Sequence, residues 1–334
     1  MLYSGDRVLN KTLLQKSARI IVAVCAAIKA NETVLIVTDS KTEACADLLA
    51  ETARSAGAVV NVATMPPRKV DGQEPTAAVA AAMKTAGVIL LPVQKSLAHT
   101  SAVKEALTAG ARVLSLTALS KNLMLSDAFS ADFNKARAPC ERVARLLTRA
   151  STLTITTAAG TRLTVSVKGR KGNAHCCLVD RPGQFSSAPN IEANISPIEG
   201  SMEGTFVADA SIPYLDIGLL SEPVIFKIKQ GIVVSTAGGP AAETLNRIWQ
   251  AQKDPAVYNI AQVAVGLNPK IKKPVGILGC NYDEGAYGTA HIGIGTSTNL
   301  GGRIKASTHF DAVMHKPTIR ADETVILKNG RLLV

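Results

Sequence analysis

The chain has 334 residues, 47% of them hydrophobic and 19% charged, a composition that excludes a disordered or low-complexity protein. At roughly 150 residues per domain the length implies two domains. The net charge of +11, from 37 Lys and Arg against 26 Asp and Glu, admits nucleic acid, anionic lipid or an anionic substrate as partner.

In chain order, 11–29 has the apolar spacing of a helix, through Leu14, Ile20, Ile21, Val24 and Ile28. The run 33–38 is continuously apolar, as in a strand buried on both faces. Asp39 and Ser40 are placed to cap a helix over about 42–56 that Gly57 stops. Strands are predicted at 58–63, 87–92 and 111–116, with helices at about 75–85, 102–109 and 136–150. Strands alternating with helices imply a parallel sheet with right-handed crossovers. From Ser151 the pattern changes to period two: 153–157 and 161–167 form a hairpin around Ala158-Ala159-Gly160. Further strands are expected at 204–208, 224–229, 231–236, 262–265, 291–294 and 324–327, with one helix at about 241–252. The expected architecture is α/β: a parallel-sheet, Rossmann-like domain over 1–150, then a β-rich α+β metal-binding domain over 151–334.

The six cysteines, Cys25, Cys45, Cys140, Cys176, Cys177 and Cys280, form no C-x-x-C pair and suit a reduced, cytoplasmic protein. The first six residues carry no apolar h-region, and the apolar stretch 20–28 falls short of the ~20 residues that span a bilayer. The basic segments Lys168-Gly-Arg-Lys171 and Lys270-Ile-Lys-Lys273 lack interleaved aromatics and suit solvated loops, so neither nucleic acid nor membrane is expected as partner.

No strand of the first half is followed by a G-x-G-x-x-G or a G-x-x-x-x-G-K-[ST], and there is no G-x-S-x-G elbow. Gly293, Gly295, Gly301 and Gly302 cluster without a following helix, a weak basis for phosphate binding. Cys280 suits a small core residue better than a nucleophile. The five histidines say more. His309 and Asp311 are two apart, so in an extended segment both side chains leave on one face. His291, 18 residues upstream, is able to join them from a neighbouring strand. Two His and one carboxylate are the minimum for a catalytic Zn²⁺ or Fe²⁺ with open positions; the alternative is a set of surface or capping polar groups.

The segments Pro189-Asn-Ile-Glu-Ala-Asn-Ile-Ser-Pro-Ile-Glu-Gly200, Asn259-Ile-Ala-Gln-Val-Ala-Val-Gly-Leu-Asn-Pro269, Gly288-Thr-Ala-His-Ile-Gly-Ile-Gly295 and Ser307-Thr-His-Phe-Asp311 follow in this order. Together they resemble the metal-binding half of the aminopeptidase T family, the thermophilic leucyl aminopeptidase type. Gln73-Glu-Pro75 and Ser96-Leu-Ala-His-Thr100 extend the likeness to a shorter branch, which includes ring-cleaving enzymes similar to 2,5-dihydroxypyridine dioxygenase. The resemblance implies Glu192, His291, His309 and Asp311 as metal ligands, with Gln262 where a second bridging glutamate is expected. It also implies a tyrosine a few residues beyond His291, but Gly295-Thr-Ser-Thr-Asn299 has none. Glu199 and Asp209 are outer candidates.

Two activities follow from the resemblance. The first is a hydrolase using one or two divalent ions (Zn, Co or Mn), in which a metal-activated water attacks an amide carbonyl and Glu199 or Glu284 is the general base. The second is a mononuclear Fe²⁺ dioxygenase, whose remaining histidine would stand near Gln262, so that His291 substitutes for it. His99, at the carboxyl end of a predicted parallel strand, is a further catalytic candidate. The expected substrate is a small molecule or short peptide, carboxylate-bearing given the charge, and the resemblance implies a homodimer.

Overall fold

The computed structural model describes residues 4–98, 100–277 and 282–334. Their contacts divide them into two compact units, 4–134 with 176–189, and 135–175 with 190–277 and 282–334. The division is therefore not a single cut near residue 150: the helix before it joins the second unit, and a later segment returns to the first.

The first unit opens with α1 (Ser4–Arg19), which runs into a π-helical turn at Ile20–Cys25. Then come β1 (Thr33–Asp39), α2 (Glu43–Ser55), β2 (Val59–Met65), α3 (Ala77–Met83), β3 (Val88–Leu91), α4 (Ser101–Thr108), β4 (Arg112–Ser115) and α5 (Lys121–Leu125). In the second unit α6 (Phe133–Arg149) leads to β5 (Thr152–Thr156), β6 (Arg162–Ser166) and β7 (Asn173–Cys176). The chain then returns to the first unit as β8 (Phe185–Ser187), completing a sheet of order β2-β1-β3-β4-β8 in which every pair is parallel. Val34 to Val37 are buried because helices flank this sheet, and each such aliphatic side chain contributes about 1.5–3 kcal/mol. Asp39 does not cap α2, whose N-cap is Thr42. Its carboxylate accepts from the backbone N–H groups of Lys41 (2.9 Å) and Gln94 (2.7 Å), joining the loops beyond β1 and β3.

The second unit continues with β9 (Ile191–Ile195), β10 (Glu203–Ala208), β11 (Ser211–Ile212), β12 (Gly218–Leu219), β13 (Val224–Lys229), β14 (Ile232–Ala237) and α7 (Gly239–Gln252). It ends with β15 (Ile260–Gly266), β16 (Thr289–Gly295), β17 (His309–His315), β18 (Thr318–Ala321), β19 (Thr324–Lys328) and β20 (Arg331–Leu332). The predicted hairpin is β5–β6, part of an eight-stranded sheet of order β14-β13-β10-β6-β5-β18-β19-β20. A second sheet has the order β17-β16-β15-β9-β7, with β9–β15, β15–β16 and β16–β17 antiparallel. Among the described residues no helix is long and apolar enough to cross a membrane.

The β17-β16-β15-β9-β7 sheet carries unlike faces. One is apolar: Ile191, Ala193, Ile195, Val263, Val265, Ile292, Ile294, Phe310 and Met314 are all buried. Phe310 meets Trp249 of α7 at a centroid distance of 5.7 Å, and Trp249 touches Phe226 and Tyr258, so an aromatic cluster braces β17 from behind. The other face, offset by one residue on every strand, carries Glu192, Asn194, Gln262, His291, His309 and Asp311.

Candidate functional site

Register brings these side chains together. Gln262 pairs with Gly293 and Gly293 with Asp311; Asn194 pairs with Ala264 and Ala264 with His291. Small residues between the polar ones leave room for their side chains. A Cβ on Gly293 would stand 2.7 Å from Gln262 Cβ and 2.9 Å from Asp311 Oδ1, so this glycine is a close approach within a strand and not part of a phosphate loop. Glu192 (4% exposed), Gln262 (4%), His291 (0%) and Asp311 (5%) are buried, where polar groups persist only with partners.

Asp311 Oδ1 lies 3.5 Å from His309 Nε2 and 3.7 Å from His291 Nε2, so one carboxylate oxygen faces two imidazoles from adjacent strands. His291 Nε2 is also 3.5 Å from Glu192 Oε2 and 3.3 Å from Gln262 Nε2. His309 Nδ1 donates to the Thr296 carbonyl at 2.8 Å, so in the neutral ring Nε2 carries the lone pair that a cation would take. Burial by itself would lower the His309 pKa, but the Asp311 carboxylate and the Thr296 carbonyl outweigh it and raise the value. Glu192 accepts from three amides: Asn190 Nδ2 at 2.9 Å, Asn194 Nδ2 at 2.6 Å and Gln262 Nε2 at 3.2 Å. Behind it the Cys140 thiol of α6 donates to the Glu192 carbonyl at 3.0 Å.

Glu284, on the segment entering β16, is 4% exposed, and its Oε1 has no hydrogen-bond partner among the described residues. Burial, and then the charges of Asp311 and Glu192, push its pKa well above the carboxylate range, while a Tyr214 hydrogen bond pulls the other way. His291 Nδ1 is likewise buried without a partner. Carboxylates and imidazoles gathered this closely form a donor set suited to a divalent cation. Two ligands each about 2.1 Å from one ion stand about 3–3.7 Å apart, the spacing of the Asp311, His291 and His309 atoms. Among the described residues no three such side chains yet close into a complete metal cage, so the donors approach in pairs.

Other sequence candidates lie elsewhere. Glu199 pairs with Arg170 and accepts from the Arg303 N–H at 2.7 Å. Burial would raise its pKa, but these donors lower it, the opposite of what a general base near neutrality needs. Asp209 accepts from the His315 N–H at 2.7 Å, fastening the end of β17. Arg170 of the first basic segment also donates to Gly301 O, so it is committed inside the fold. His99 and Cys280 lie outside the described residues. Sequence reading missed Asn190 and Asn194, although their period-two alternation with Glu192 was a visible signal, and it missed Tyr214 and Thr296, which left none.

A family model described as NicX, 2,5-dihydroxypyridine 5,6-dioxygenase, matches residues 21–334. The 2,5-dihydroxypyridine 5,6-dioxygenase of Pseudomonas putida is 27% identical over 160 residues, and the match spans 45% of this chain and 45% of that relative's length. The solved structure of the 2,5-dihydroxypyridine dioxygenase from Pseudomonas putida KT2440 superposes with a TM-score of 0.82 at 20% identity, over 97% of each chain. AmpT from Thermus thermophilus superposes with a TM-score of 0.70 at 17% identity, over 97% of this chain and 100% of that one. The fold is thus one shared with both solved structures. On the family match over 21–334, the chain belongs to the NicX family, that of 2,5-dihydroxypyridine 5,6-dioxygenase.

Proposed function

We propose that this protein is a metal-dependent dioxygenase that opens an electron-rich, hydroxylated nitrogen heterocycle of the dihydroxypyridine type. The observation that carries the reading is the placing of Asp311 Oδ1 within 3.5 Å and 3.7 Å of the Nε2 atoms of His309 and His291. Two imidazoles and one carboxylate are the donor set of mononuclear Fe²⁺ oxygenases. His291, His309 and Asp311 would hold the ion. Bound there, a ferrous ion would supply the one-electron chemistry that lets O₂ react with such a ring. Thr296 keeps His309 in the tautomer that offers Nε2, and the β16–β17 register holds the carboxylate between the rings. Glu284, whose pKa burial and its acidic neighbours raise, is the candidate to exchange a proton with a ring hydroxyl.

The hydrolase reading is the second choice. Glu192 on the same face and the AmpT-like fold favour it. Against it, Gln262 is neutral where a second cation would need charge, and Glu199 is committed to Arg170. The test is oxygen uptake with 2,5-dihydroxypyridine by protein loaded with Fe²⁺ under anaerobic conditions. Stoichiometric O₂ consumption supports the dioxygenase. Release of N-terminal residues from peptides by Zn²⁺-, Co²⁺- or Mn²⁺-loaded protein, with no O₂ uptake, overturns it.

A further inference from the structure

The polar face of β9 ends in a hydrogen-bond chain with one fixed direction. Asn173 Nδ2, on β7, reaches the Leu300 carbonyl at 3.4 Å. A carbonyl only accepts, so this contact decides which end of the Asn173 amide is nitrogen. The same Nδ2 lies 3.0 Å from Asn194 Oδ1, so Asn194 in turn presents Nδ2 to Glu192 Oε1 at 2.6 Å. The direction is set at a backbone atom and passed through two amides to one carboxylate.

The acceptor count at Glu192 gives this chain a consequence. A carboxylate oxygen has two lone-pair directions. On Oε1 both are taken, by Asn194 and by Gln262 Nε2 at 3.2 Å. On Oε2 one is taken, by Asn190 Nδ2 at 2.9 Å, and that oxygen is the one 3.5 Å from His291 Nε2. We propose that Asn194, oriented by Asn173, is a positioning residue that turns Glu192 so that it offers a cation one oxygen only, Oε2, on the side of His291. The inference rests on the proposed metal site and adds Glu192 to its three donors, through a single oxygen and not as a bidentate or bridging ligand.

Co²⁺ titration of the full-length protein, followed by its visible absorption, tests this without any activity measurement. Asn194→Ala is expected to weaken Co²⁺ binding by about 10-fold or more, as losses of partners to ligand side chains do. Asn173→Ala, two hydrogen bonds from the site, is expected to move affinity the same way by less, and it serves if Asn194→Ala does not fold. In a Glu192→Gln background both effects should vanish, because the chain then has no carboxylate to set. Equal losses in both backgrounds, or no loss in either single variant while wild type binds Co²⁺, overturn the inference and leave the metal site standing. Failure of the wild type to bind Co²⁺ overturns both.

Discussion

Gly293 stands between Gln262 and Asp311 across three neighbouring strands, and the space a methyl group would need there is already filled. Its added Cβ would lie 2.7 Å from Gln262 Cβ, 2.9 Å from Asp311 Oδ1 and 3.0 Å from His309 Cε1. Gln262 Cβ is tied to its backbone and has little freedom to yield. Gly293→Ala is therefore expected to cost about 1–3 kcal/mol in denaturant unfolding, as overpacking does, and to lower metal uptake by displacing two ligands at once. Native-like stability together with native-like uptake would remove Gly293 from the site's construction.

His309 and Gln262 should separate sharply in metal binding. His309 has the hydrogen-bonded Nδ1 of a preset ligand, whereas Gln262 offers a neutral amide whose nitrogen points at Glu192. Metal analysis after purification should show His309→Ala and Asp311→Asn weakened by about 100-fold or more, and Gln262→Ala by about 10-fold or less. The reverse order would make Gln262 the ligand and His309 a bystander.

Glu284 predicts a pH dependence of the metal-free protein. Its folded pKa is raised, so the folded state holds a proton that the unfolded chain releases above the ordinary value of 4.5. Its contribution is fully present below that value and is lost as pH rises through the raised one. Glu284→Gln, neutral at every pH, should flatten this decline in thermal unfolding scans of the metal-free protein, with the variant gaining on wild type as pH increases. Parallel pH curves for the two proteins would refute the assignment.

Much of this was legible before any coordinates. The apolar runs of β1, β3 and β4 announced a doubly covered parallel sheet, and the His309–Asp311 spacing announced a shared face. The return of β8 to that sheet was not, because Phe185-Ser-Ser187 is too short and too polar to show a period. β9 was also missed. It is buried on both faces, and on one of them buried polar residues stand where alternation would suggest exposure. Glu199 shows the opposite difficulty. A carboxylate near a resemblance motif looks catalytic until its partners are known, and Arg170 is 29 residues away in sequence.

Glu199 belongs to the support of His309, and that role is testable. The segment after β16 supplies the Thr296 carbonyl that holds the His309 ring. It is fastened at the Arg303 N–H by Glu199 (2.7 Å), at Gly301 O by Arg170, and at the Ser307 N–H by Asp254 (2.7 Å). Arg170 is 11% exposed and Glu199 26%, so removing the charge of Glu199 leaves a mostly buried guanidinium without its counter-ion. Glu199→Gln should cost about 2 kcal/mol of stability at neutral pH, the size of a hydrogen bond to a charged group. The Glu199 pKa is lowered in the folded protein, so its contribution is present above the ordinary carboxylate value and is lost as pH falls through the lowered one. Denaturation curves of variant and wild type should therefore converge toward acid pH, while the pH profile of turnover keeps its shape. If Glu199→Gln instead removed the basic limb of that profile at unchanged stability, Glu199 would be the proton acceptor and the support of His309 would lie elsewhere.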